Sequence, residues 1–172
     1  MRKRLSWLVL CSAGIVVAAL YDVSRVQVTS PEGFVGTTIA QGRFGEIDVF
    51  NKLIPPANKG DLWVSLQKTT GSSDLFVQSN VWQPRGSTGW HTHPGHSLIT
   101  VTAGTVTAYE GNDPDCKPHV YTVGMGFVDP GGGHVHIIRN EGDVVAQTVA
   151  VQLIPAGQQR RIDVADPGNC HF

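Results

Sequence analysis

The sequence predicts an all-β fold, a barrel or sandwich of short strands in a single domain, and three observations carry that expectation. Its 172 residues suit one domain with enough chain to bury a substantial core. Twenty Gly and ten Pro, set among many Val and Thr, favour short extended segments joined by tight turns. Runs with strand-like patterning recur at spacings of about 8–12 residues, and no long amphipathic helix interrupts them. Charge is balanced, with 13 Lys and Arg against 14 Asp and Glu, so no basic face is implied and a nucleic-acid partner is not expected.

The N-terminus is organised differently. Met1-Arg-Lys-Arg4 is a positive start, residues 5–21 are almost entirely apolar, and Val17-Ala-Ala19 offers small residues for cleavage. Residues 1–20 therefore read as an export signal, with an uncleaved membrane anchor as the alternative, because the run approaches the ~17–25 residues that span a bilayer. Cys11 follows Leu10, where a lipoprotein signal would carry a small residue. Either reading places the remaining chain outside the cytoplasm, periplasmic or secreted, and touching a membrane only if the signal stays.

Residues 21–35 form a lead-in of Ser, Pro and Gly without periodicity, and the barrel is expected over 36–156. Strands are expected at Thr37–Phe44 and Ile47–Phe50, then, after a Pro-rich turn region from Pro55, at Leu62–Lys68 and Asp74–Gln83. Further strands follow at Trp90–His93, Ser97–Thr102, Thr105–Glu110, His119–Val123, Gly126–Val128, Val135–Asn140 and Val144–Ile154. Ala103-Gly104 reads as a hairpin turn. On the strand before it Ile99 and Val101 share the core face, so Ser97 points inward with them. Residues 157–172 are a polar tail.

Once the signal is set aside, Cys116 and Cys170 form an even pair in an oxidising compartment. A disulfide between them would pin the tail to the 109–118 loop and stabilise by about 3–4 kcal/mol on the chain-entropy model.

Five of the seven histidines gather in two short segments. Gly86-Ser-Thr-Gly-Trp-His-Thr-His-Pro-Gly-His-Ser97 holds His91, His93 and His96, and Pro130-Gly-Gly-Gly-His-Val-His136 holds His134 and His136. Residues i and i+2 of a strand face one side, so each His-x-His offers two imidazoles for a transition metal.

These segments resemble the two motifs of the cupin family, small jelly-roll barrels of the double-stranded β-helix type. Gly86, His91, His93 and Gly104 match the first motif with one residue fewer after the first Gly. Gly124, Pro130, Gly132, His136 and Asn140 match the second with one residue more before the His. The resemblance spans about Gly36 to Ala156 and implies a cupin barrel holding a divalent metal through His91, His93 and His136, with His134 an alternative or additional ligand. The motif's metal-binding Glu falls at Ser97, or at Leu98 with the longer spacing; Ser97 fits the six residues to Gly104, and it is a neighbour of the site and a poor ligand. Some cupin-type dioxygenases hold iron with three histidines alone, so the site survives; a trio of neutral imidazoles leaves the ion its full charge and favours an anionic ligand.

The resemblance implies Fe, Mn, Ni or Zn as cofactor, a small organic ligand or substrate, and a homodimer as one assembly the fold allows. Three functions fit: a metal-dependent enzyme such as an oxygenase, with His134 or His96 moving protons; a non-catalytic metal or ligand binder; or a structural dimerisation module. Gln78, Asn80 and Gln152 fit either pocket-lining or solvent-facing strand positions. Trp82 and Trp90 read as packing residues, Asp129 as a turn residue, Arg160-Arg161 as a solvated tail, and His119 and His171 as surface histidines.

Overall fold

In a computed structural model, residues 27–53 and 63–172 are described. The expected signal 1–20 and the turn region from Pro55 lie outside the described residues. Within them there are strands, turns and no helix: β1 Glu32–Phe44, β2 Asp48–Leu53, β3 Trp63–Lys68, β4 Ser73–Ser87, β5 His91–Thr92, β6 Ser97–Ala103, β7 Thr105–Glu110, β8 His119–Thr122, β9 Gly126–Asp129, β10 His136–Arg139, β11 Ala146–Pro155 and β12 Ile162–Asp163. Ten of them form one antiparallel sheet in the order β12-β5-β10-β4-β11-β6-β9, with β1 on β4 and β7 between β10 and β8. The sheet curls into a nearly closed barrel, while β2 and β3 pair only with each other.

Alternation makes the barrel. Along β6 Ser97, Ile99 and Val101 are buried and Leu98, Thr100 and Thr102 exposed. Along β11 Ala146, Thr148, Ala150, Gln152 and Ile154 are buried in the same two-residue rhythm. One apolar cluster gathers Trp82, Val101, Val106, Ala108, Ile138 and Ala146, which leaves the other end of the barrel to polar side chains. A second packs Trp90, Tyr109 and Ile137 against the Cys170 end of the chain. Both tryptophans are packing residues, as their strand context suggested.

Among the boundaries that differ from the pattern-based expectation, two are explained by their pairing partners. β1 begins five residues earlier than Thr37, inside the segment read as a lead-in, because β4 offers it a ladder from Ser73 to Ser87. Arg43 anchors its far end with two hydrogen bonds to Asp74, at 2.7 and 2.8 Å, and holds that carboxyl down at about 2. The tail is also more than a solvated end. Ile162 and Asp163 pair with Thr92 and His91, and Val164 donates its N–H to the Trp90 carbonyl. Cys116 and Cys170 are joined, closing the strap covalently onto the loop after β7. Phe172 then lies against Tyr109, with the Arg139 guanidinium 3.9 Å from its ring.

Candidate metal centre

The strap, β5, β6, β9 and β10 converge on one end of the barrel. His136 on β10 pairs in register with His91 on β5, and Ser97 on β6 with Asp129 on β9. Two glycines let the loops meet: Gly131 has φ +64°, and any Cβ there would collide with the Gly95 carbonyl. The structure thus brings His91, His93 and His136 together, all buried, each offering one nitrogen within 4.8 Å of the others.

Hydrogen bonds orient two of these rings. His91 Nδ1 lies 2.8 Å from the Gly89 carbonyl and His93 Nδ1 lies 2.7 Å from the Arg160 carbonyl. A carbonyl only accepts, so each Nδ1 carries the proton and each Nε2 presents a lone pair. His136 Nδ1 is buried without a hydrogen-bond partner. Burial disfavours the imidazolium at all three: it pushes His91 well below the ordinary histidine range and lowers His93 and His136 to about 4. Near neutral pH the trio is therefore uncharged and ready to ligate.

The sequence pattern left the acidic corner empty, and the fold fills it from another strand. Sequence pattern makes Asp129 a turn residue; in the fold it is 4 % exposed and its carboxylate lies 3.6 Å from His93 Nε2 and 3.7 Å from His136 Nδ1. The Gly131 N–H donates to one of its oxygens at 2.9 Å, and the Ser97 hydroxyl reaches the other at 3.5 Å. Ser97 thus faces the site as expected, and its role is to support the carboxylate across the strand pair. The expectation that three neutral imidazoles stand alone is corrected accordingly: a carboxylate adjoins them.

His134 shares the inward parity of His136 but is less buried. Its Nε2 lies 2.6 Å from Glu110 Oε2, and its Nδ1 lies 3.9 Å from Asp129 Oδ1. Asp129, His134 and His136 form a second set of close donors beside the first. Burial raises the Glu110 carboxyl above its usual range, with His134 opposing the shift. His96 is elsewhere. Because Ser97 faces in, its neighbour alternates outward, and His96 lines an outer cleft with Leu66, Leu153 and Ile154.

Within the barrel mouth is a cavity of about 50 Å³, bounded by the three histidines, Asp129 and Ser97. Gln78 and Gln152, which fitted either face of their strands, are 2 % and 1 % exposed and line this cavity. Arg160 and Arg161, read as a solvated tail, line it too. The strap pairing with β5 carries them there, and composition gives no sign of it.

Residues 81–152, which include most of the nearly closed antiparallel barrel, match the family model of the cupin domain. No curated protein matches the sequence. Among solved structures, a conserved double-stranded β-helix protein from Klebsiella pneumoniae is similar at 22 % identity and TM-score 0.44, over 54 % of this chain and 70 % of its own. An oxalate oxidase in complex with glycolate is similar at 19 % identity and TM-score 0.44, over 73 % of this chain and 56 % of its own. A predicted oxalate decarboxylase from Thermotoga maritima is similar at 18 % identity and TM-score 0.39, over 49 % of this chain and 83 % of its own.

The cross-strand acid gives a paired prediction. Asp129→Asn should weaken metal binding by about 10–100-fold, as loss of supporting carboxylates around metals does. Ser97→Glu alone sets a second carboxylate beside Asp129 and should lower stability by like-charge crowding. Combined, the two substitutions move the acid to the neighbouring strand and should recover much of the affinity. Metal titration of the three variants checks this; a double variant no better than Asp129→Asn contradicts it.

Proposed function

We propose that this protein is an exported cupin that holds one divalent transition metal through His91, His93 and His136, with Asp129 beside them, and acts on a small organic molecule. One observation carries the metal. His93 Nε2 and the Asp129 carboxylate, both lone-pair donors when the ring is neutral, face each other at 3.6 Å in a buried site. Two acceptors pointed together need a cation between or beside them. A proton on His93 would serve, but burial lowers that imidazole to about 4, so near pH 7 a metal ion is the better occupant.

When bound, the ion would supply Lewis-acid polarisation of a ligand oxygen at its open positions. The chain's own residues supply the rest. The backbone carbonyls of Gly89 and Arg160 fix the ring tautomers. Trp82 and Ile99, both buried, supply apolar wall to the cavity. His134, held at Nε2 by Glu110, is placed to take or return a proton at the rim of the site. This pairing favours an enzyme over a passive binder, because it sets a histidine beside a carboxylate at the rim, next to the trio that already suffices to hold an ion. Export rests on the apolar N-terminal run and fits the Cys116–Cys170 bridge.

The test separates binder from enzyme. His134→Ala should keep the metal and lose turnover in an oxygen-consumption screen over catechols, diketones and oxalate. No turnover by the parent chain on any of them, with metal bound, favours the binder.

Acid should act on the metal-free protein in a defined window. The trio's folded-state pKa values lie below the unfolded histidine value of about 6.5. Stability from keeping the rings neutral is therefore full above that value and is lost as pH falls toward the folded value of about 4 for His93 and His136. Thermal melting of chelator-treated protein should fall through this window. Added metal should resist the fall, and a flat profile would contradict the burial argument.

A further inference from the structure

We infer that the cavity beside the metal site takes a compact carboxylate anion, gripped by the Arg160 guanidinium and hydrogen-bonded by the Gln152 amide. The inference deepens the metal-centred reading above and rests on it for the reaction, while its own residues lie outside the ligand set.

Arg161 is already satisfied. Its Nε donates to Asp163 at 2.6 Å and a terminal nitrogen donates to the Thr88 carbonyl at 2.5 Å. Arg160 is different: it lines the same cavity, is half-buried, and among the described residues no acid or carbonyl pairs with its guanidinium. A partly desolvated guanidinium without a partner is unfavourable unless an anion completes it. Its backbone is fixed, because its own carbonyl accepts the His93 Nδ1–H and nearby residues Ile162 and Asp163 pair with β5. One residue thus orients a metal-site ring through its carbonyl and brings a positive charge near that same ring at the cavity.

Gln152 supplies the independent observation. It is 1 % exposed, it lines the cavity, and neither its amide oxygen nor its amide nitrogen has a hydrogen-bond partner. It lies in register with Ser97, so it borders the metal end. The Gln78 side-chain oxygen is also buried without a partner. Buried amides are retained unpaired where a ligand supplies the missing bonds.

Size and charge define that ligand. A cavity of about 50 Å³ holds a molecule of only about four to six heavy atoms. A divalent ion with Arg160 outweighs the single charge of Asp129, so an anion restores balance. The planar guanidinium fork matches a carboxylate bidentately. Aromatic acids are too large.

The test uses the full chain, metal-loaded and chelator-treated, titrated with acetate, its neutral isostere acetamide, sulfate and benzoate by ligand-observed NMR. Acetate should bind with Kd at or below the low-millimolar range, while acetamide and benzoate should bind at least tenfold more weakly. Arg160→Gln should weaken acetate at least tenfold and Arg160→Lys less. Gln152→Leu should also weaken it, with metal content unchanged in each. Equal binding of acetate and acetamide, sulfate binding tighter than acetate, or parent-like binding by Arg160→Gln in folded protein overturns the assignment. Metal loading without acetate binding sinks this inference alone. Acetate binding that depends on Arg160, in a chain that takes no metal, sinks the metal reading and leaves the anion site standing.

Discussion

His91→Ala is expected to lower metal affinity by more than the roughly 100-fold upper range seen for supporting residues, because it deletes a ligand outright. His136→Ala should do the same. Each ring is buried and neutral, so the ion loses a strong donor that water replaces poorly. His96→Ala is the matched control, since that ring lines an outer cleft, and its metal content should equal the parent's. Metal titration followed by elemental analysis separates the three. Undiminished binding in His91→Ala would remove it from the site.

Loss of the Cys116–Cys170 bridge should have the second large effect. Removing a native disulfide costs about 2–5 kcal/mol, which for a domain of this size lowers Tm by about 4–20 °C. More than stability is at stake. The bridge holds the strap whose Arg160 carbonyl orients His93, and the strap rests on Trp90 and Tyr109 through Cys170 and Phe172. Cys116→Ser/Cys170→Ser should therefore weaken metal binding as well as lower Tm. Binding that is unchanged at a temperature where the variant is fully folded would show that β5 alone sets the His93 ring.

Much of this was legible in the chain before the fold was known. The alternation of Ser97, Ile99 and Val101 set the face of β6, and the two His-x-His segments marked the metal-ready strands because a two-residue period survives any tertiary context. The Cys pair was legible as well, from the even count left once the segment with Cys11 is set aside. Asp129 was not, because its partnership with Ser97 is a register fact between strands 32 residues apart. An Asp before Pro-Gly-Gly looks like any turn residue until β9 is laid beside β6. Arg160 was misread for a related reason: a polar tail has one composition whether it is solvated or strapped across a barrel. Glu110 ended a strand by pattern, and only the fold brings it to His134. Short-range periodicity is written locally; the acidic and cationic parts of the site depend on pairings between distant segments.

The buried donors around His91, His93, His136 and Asp129 are arranged as a metal ion requires. Elemental analysis of the full chain, purified without chelators and without metal-affinity resin, tests it most directly. About one equivalent of a first-row divalent metal per chain is expected, lost together with part of the thermal stability on chelation. Substoichiometric metal that cannot be raised by dialysis against Fe, Mn, Ni or Zn, in protein that melts cooperatively, would contradict it.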